Sequence, residues 1–219
     1  MTGARNRRFA FVAGLTVVRI PLILVFLLIT IIGGRPLGQA WFGVAFGAMI
    51  LSAVTDFLDG WFARRFNVVT RFGGYFDPLT DKVFYLATLP TLVYLAAAGG
   101  SHWHAKLLLG LAIIFLLRDQ WVSFLRSIGA MHGKSGKANW SGKLRTLMAF
   151  PIICVIYYYL EAPRSWWLQV PAWVVYALEI AGMGINLLSI WVYTTGYWPY
   201  LKHELGAGPA GSQGTEGPG

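Results

Sequence analysis

The sequence predicts an all-α integral membrane protein: a six-transmembrane-helix bundle with its active site at the cytoplasmic face. Three observations predict it. First, 56% of the 219 residues are hydrophobic and only 12% are charged, with a mean hydropathy of +0.57. A soluble domain is roughly a quarter charged. Second, several apolar runs approach or exceed the roughly 18 residues that cross a bilayer. Third, the 18 Lys and Arg outnumber the 9 Asp and Glu, and they gather in alternate loops, as cytoplasmic loops do.

The first span is read at residues 9–34, behind Arg5, Arg7 and Arg8. It is too long for a signal peptide, contains Arg19 and lacks a small-residue cleavage site, so it reads as a retained span. The second span covers 40–65, the third 81–100, the fourth 107–131, the fifth 147–162 and the sixth 170–198. Arg64, Arg65 and Arg71 separate spans two and three, and Lys134, Lys137, Lys143 and Arg145 separate spans four and five. The opposite loops hold only Arg35, Lys106 and Arg164. Both termini are therefore expected in the cytoplasm of a multi-pass protein of the cell membrane. Trp166, Trp167 and Trp198 sit near span ends, as interfacial anchors do. Residues 1–202 form the expected membrane domain. Residues 203–219, ending in "GAGPAGSQGTEGPG", are expected to be a disordered tail. The net charge of +9 reads as contact with anionic lipid rather than with nucleic acid. Cys154, alone, allows no intrachain disulfide and reads as a small buried hydrophobe.

Four of the five aspartates, Asp56, Asp59, Asp77 and Asp81, fall in one stretch. Asp56 and Asp59 are three apart, Asp77 and Asp81 four apart, so on helices each pair shares a face. The stretch reads as two helix ends joined by a short turn at Gly73-Gly74. Carboxylates inside a membrane bundle are costly unless compensated. A hard divalent cation, Mg²⁺ or Mn²⁺, compensates them and also takes phosphate oxygens. Gly60 and Ala63 lie on the face of Asp56 and leave room for a ligand near the backbone. Arg64 supplies a fork of donors suited to phosphate. Together these features point to phosphoryl transfer. A purely structural ion-pair network is one competing reading. A cation transporter or channel is the other, but it would need polar residues continuing across the membrane, and the opposite half offers almost none.

The pattern Asp56-x2-Asp59-Gly60-x2-Ala63-Arg64-x8-Gly73-x3-Asp77-x3-Asp81 resembles the signature of the CDP-alcohol phosphotransferases. The resemblance implies six transmembrane helices, a homodimer and a two-metal site. It also implies transfer of a substituted phosphate from a CDP-linked donor to an alcohol, with release of CMP. On that pattern Asp56, Asp59 and Asp77 hold metal. Asp81 completes the metal site and is the catalytic base on the acceptor hydroxyl. Asp56, Gly60, Ala63, Arg64 and Gly73 line the CDP site.

Span four carries Arg118 and Arg126, and Lys143 and Arg145 open span five. Cations converging near a metal site suit an anionic acceptor. Arg118, Arg126 and Lys143 are the candidate ligands of its phosphate, while Lys134 and Lys137 read as ordinary anchors. "LTVVR", "DPLTDK", "RDQWVSFLR" and "SGKLRT" resemble segments of the bacterial phosphatidylglycerophosphate synthases. That implies CDP-diacylglycerol as donor and glycerol 3-phosphate as acceptor. Two departures stand out: Ala13-Gly14 replaces a Pro-Asn pair, and Arg118-Asp119 replaces Arg-Glu. The Arg-Asp form also resembles the cardiolipin synthases, whose acceptor is phosphatidylglycerol, so that acceptor stays open. His102 and His104 read as interfacial loop residues with no carboxylate nearby. Glu179 reads as pairing across a dimer or facing a polar cavity, and Asn186 as a structural hydrogen-bonding group.

Overall fold

The structure is a computed structural model that describes residues 2–35, 37–66, 71–134, 140–166 and 168–206. The side chains at 2–9, 56, 57, 60, 63, 64, 71–78, 81 and 143 lie outside that description. Among these described residues six helices follow one another: α1 (Thr2–Ile32), α2 (Gln39–Phe66), α3 (Arg71–Ala98), α4 (His102–Met131), α5 (Trp140–Glu161) and α6 (Ala172–Gly206). Among the described residues there is no strand. Four stretches are long and apolar enough to cross a membrane: Ala10–Ile32 of α1, and α4, α5 and α6. The apolar parts of α2 and α3, Gln39–Thr55 and Lys82–Ala98, are shorter. The rest of those two helices carries the aspartates and the basic residues between them.

Several helices outrun the apolar runs that announce them. α3 begins at Arg71, so Gly73 and Gly74 lie in its first turn and do not form the expected connection. That connection falls on 67–70, outside the described residues. Each glycine disfavours a helix by about 1 kcal/mol relative to alanine, but the packed apolar run that follows outweighs this. α4 starts at His102, which moves His104 from a loop into a helix. α6 continues through Gly206, so residues 203–206, expected in the tail, are helical. Residues 207–219 lie outside the described residues. α3 and α4 both stop on glycines of positive φ, Gly100 (81°) and Gly133 (71°). Lys134 N donates back to Gly129 O at 2.8 Å beyond the second of these, closing a glycine C-cap.

α1 packs most extensively on α2, and α4 on α6; α3 bridges α1 and α4. Aromatic residues fill the interior between α1, α2 and α5. Tyr157 is fully buried, with its ring centre 5.0 Å from Phe26, and Phe42 meets Trp166 at 4.9 Å. The outward faces are the reverse of a soluble protein's. Ile32, Trp103, Trp173 and Trp191 are each at least 70% exposed, a pattern suited to acyl chains rather than water.

Candidate functional site

The aspartate helices are organised by α1. The Thr16 hydroxyl donates to Asp59 Oδ2 at 2.8 Å. One guanidinium nitrogen of Arg19 lies 3.5 Å from the same oxygen, and another donates to Thr80 Oγ1 at 2.6 Å. Arg19, Asp59 and Thr80 are all buried. A buried carboxylate needs such partners, and these fix the orientation of Asp59. Thr80 immediately precedes Asp81, so one arginine ties both aspartate helices to α1. Asp56 lies in α2 three residues before Asp59, and Asp77 and Asp81 lie in α3. The side chains of Asp56, Asp77, Asp81, Arg64, Ala63 and Lys143 are outside the description, as are the surroundings of Gly60 and Gly73.

A second polar cluster sits where α4, α5 and α6 meet. Arg118 donates to Ser189 Oγ from Nε (3.0 Å) and from Nη2 (2.7 Å), and from Nη1 to Asp119 Oδ1 (3.4 Å). Arg145 Nη2 lies 3.0 Å from that same Asp119 oxygen, and its Nε donates to Asn186 Oδ1 at 3.3 Å. Arg126 Nη2 donates to the Tyr193 hydroxyl at 2.8 Å. The guanidinium carbons of Arg118 and Arg126 lie 5.4 and 5.3 Å from the centre of the Tyr193 ring, within cation–π range. Among the described residues Arg118 and Arg145 thus share the Asp119 carboxylate while Arg126 is held by the Tyr193 hydroxyl, and this gathering of positive charge suits an anion. Gly142 allows this closeness, because a methyl group there would lie 2.7 Å from the Tyr193 hydroxyl.

The two clusters are neighbours. The Arg145 guanidinium lies over the Tyr85 ring at 5.6 Å, and Tyr85 is one helical turn beyond Asp81 on α3. The structure therefore brings Arg118 and Arg126 together and adds Arg145, which spacing alone did not select. It also adds Asp119, Ser189 and Tyr193 as their holders. The missed signal lies in α6, whose buried residues Glu179, Gly182, Asn186, Ser189, Tyr193 and Tyr197 recur every three or four positions. That is one helical face, and most of its members are polar. Lys134 acts as the expected anchor, donating to Gly196 O and lying 3.9 Å from the centre of the Tyr197 ring.

At the opposite end of the bundle, His104 is not an isolated loop residue. Its Nε2 lies 2.6 Å from Glu179 Oε1, and both residues are buried. Glu179, expected across a dimer or on a cavity, has this partner inside its own chain. The two are 75 residues apart, so only tertiary packing reveals the pair. Asn186 donates to Gly182 O at 2.8 Å, as expected of a structural amide.

Four membrane-length helices, with aspartates on α2 and α3 and buried arginines, mark the class as an all-helical protein suited to a membrane. The chain belongs to the CDP-alcohol phosphatidyltransferase family: the match runs over residues 12–183 and includes all five aspartates as well as Arg19, Arg118, Arg126 and Arg145. It is similar to the CDP-diacylglycerol–glycerol-3-phosphate 3-phosphatidyltransferase of Bacillus subtilis, with 34% identity over 60% of this chain and 68% of that protein. The enzyme of the same name from Haemophilus influenzae is 37% identical over 44% of this chain and 49% of its own length. The CMP-forming cardiolipin synthase of Streptomyces coelicolor is 31% identical over 70% of this chain and 65% of its own. No solved structure matches.

Proposed function

We propose that this protein transfers the phosphatidyl group of CDP-diacylglycerol to glycerol 3-phosphate, releasing CMP and forming phosphatidylglycerophosphate. The observation that carries this reading is the cluster of Arg118, Arg126 and Arg145, two of which share Asp119 while the third is held by Tyr193, beside the helix of Asp81. A phosphate monoester dianion suits such a surplus of guanidinium donors.

Asp56, Asp59, Asp77 and Asp81 form an all-oxygen donor set, and the buried, pre-oriented carboxylate of Asp59 fits a hard cation such as Mg²⁺ or Mn²⁺. Two such ions held there would supply charge neutralisation for a pyrophosphate and its leaving group. Gly60, Ala63, Arg64 and Gly73 would accommodate the CDP moiety together with Asp56. Asp81 would accept the proton of the acceptor hydroxyl. As that oxygen bonds to the phosphatidyl phosphorus, the bond to CMP breaks and CMP leaves. Arg118, Arg126, Lys143 and Arg145 would hold the acceptor phosphate, so that the hydroxyl is positioned rather than merely attracted. In this reading residues 1–202 form the membrane domain, with all six helices spanning, both termini and the site facing the cytoplasm, and a homodimer as the working unit. The segment from 203 onward lies outside that domain.

The Arg118-Asp119 pair and the broad overlap with the Streptomyces cardiolipin synthase support a second reading, with phosphatidylglycerol as acceptor. Purified protein given CDP-diacylglycerol and each acceptor in turn separates the two. CMP release with glycerol 3-phosphate supports the first reading, and release with phosphatidylglycerol alone supports the second. No CMP release with either acceptor would sink both.

A further inference from the structure

His132, His203 and Glu204 converge where α4 and α6 end. Their nearest ligand atoms all lie within 4.8 Å of one another. His132 Nε2 is 2.9 Å from Glu204 Oε1, and the His132 and His203 rings are 5.0 Å apart, centre to centre. We propose that these three residues bind a transition-metal ion, Zn²⁺ first among them, and that the ion clamps the end of α4 to the end of α6.

The donor set favours this class of ion. Two imidazoles and one carboxylate match the ligand types of zinc sites and suit copper or nickel as well. The aspartates of the candidate active site offer only oxygen, which suits hard cations. The two sites would therefore sort different metals. The geometry requires only small movements. In a tetrahedral site with ligand bonds of about 2.0–2.1 Å, donor atoms sit roughly 3.3 Å apart. His132 and Glu204 need to part by a few tenths of an ångström, and His203 needs to swing inward from an exposed position.

The backbone that carries the ligands is held in place. His132 is the C-cap residue of α4, with φ −99° and ψ 18°, so it has left the helix. Its N–H donates to Gly129 O at 3.1 Å. A Cβ at Gly129 would run into the Tyr197 ring, so α4 and α6 approach closely one turn before the site. The nearby Lys134 is already engaged by Gly196 O and the Tyr197 ring. The three ligands thus come from two helix ends whose spacing is set independently of any metal.

The test uses the full chain, without added affinity histidines, in detergent with Mg²⁺ in excess. After dialysis against Zn²⁺, the wild type should retain one zinc ion per chain. His132→Ala and His203→Ala should each weaken binding by at least the roughly 10-fold that loss of a mere outer partner costs. Asp56→Asn should retain zinc. In the Co²⁺ form the wild type should show the visible bands of a four-coordinate nitrogen–oxygen site, and His203→Ala should lose them. Thermal unfolding without metal should match the wild type, because all three side chains are at the surface. The proposal fails if the wild type retains no zinc. It fails equally if zinc survives both histidine substitutions or is lost with Asp56→Asn.

Discussion

Arg19 donates to Thr80 at 2.6 Å and joins α1 to the aspartate-bearing turn of α3. The same guanidinium approaches Asp59 on α2, so it is a hub between two helices that supply candidate ligands. Arg19→Ala should remove the guanidinium beside the buried Asp59 carboxylate. Breaking a buried pair in this way costs about 3–5 kcal/mol. Activity, read as CMP release, should fall with the melting temperature, and Arg19→Lys should recover part of both. Wild-type activity and stability in Arg19→Ala would dismiss the hub.

Tyr193 and Arg118 should separate acceptor binding from donor binding. Tyr193→Phe keeps the ring beneath two guanidinium groups but removes the hydroxyl that accepts from Arg126. It should raise KM for glycerol 3-phosphate roughly 2- to 10-fold, because it loosens the hold on Arg126 without removing the charge that would meet the acceptor. Arg118→Ala should raise it roughly 10- to 100-fold, as expected for bonds to a charged group, with KM for CDP-diacylglycerol changed far less. Arg118→Lys should rescue only partly, because an ammonium lacks the planar fork. Equal effects on both KM values would remove these residues from the acceptor site.

Metal dependence follows from the carboxylates. Activity should vanish in EDTA and return with Mg²⁺ or Mn²⁺. Asp56→Asn and Asp77→Asn should be inactive yet elute and melt as folded protein, because the apolar faces of α2 and α3 are buried regardless. Full turnover in chelator would discard the carboxylate metal site.

Orientation can be read with introduced cysteines in a chain whose buried Cys154 has been changed to Ser. A cysteine at position 68 should be shielded from a membrane-impermeant thiol reagent in intact cells, while one at position 100 should label. The opposite pattern would turn the bundle over and place the aspartates outside.

What could be read in advance was what is local. The aspartate signature occupies one short stretch, so identity and spacing are visible without folding the chain. Helix ends were less legible because an apolar run marks only the lipid-buried part of a helix. Hydrogen bonding carries α3 back through Gly73 and α4 back to His102. The partners of the arginines were hidden for a different reason. Ser189 and Tyr193 lie 71 and 67 residues from Arg118 and Arg126, and only the packing of α4 on α6 decides that they meet. The sequence places Arg145 among the cations that open span five without singling it out. In the structure it is a buried residue of α5, with its charge set over the Phe115 ring at 4.0 Å.

The α4–α6 seam is cross-linked by polar contacts along its length: His104 to Glu179, Arg118 to Ser189, Trp121 to Thr194, Arg126 to Tyr193 and His132 to Glu204. Between helices in lipid there is little hydrophobic force to resist sliding, so close packing and such bonds carry the load. Contacts placed like the rungs of a ladder resist shear together, because slipping one helix by a single turn breaks all of them at once. The two helices therefore behave as one stiff beam. Pulled from its C-terminal end, the chain should give up α4 and α6 in a single force event rather than helix by helix.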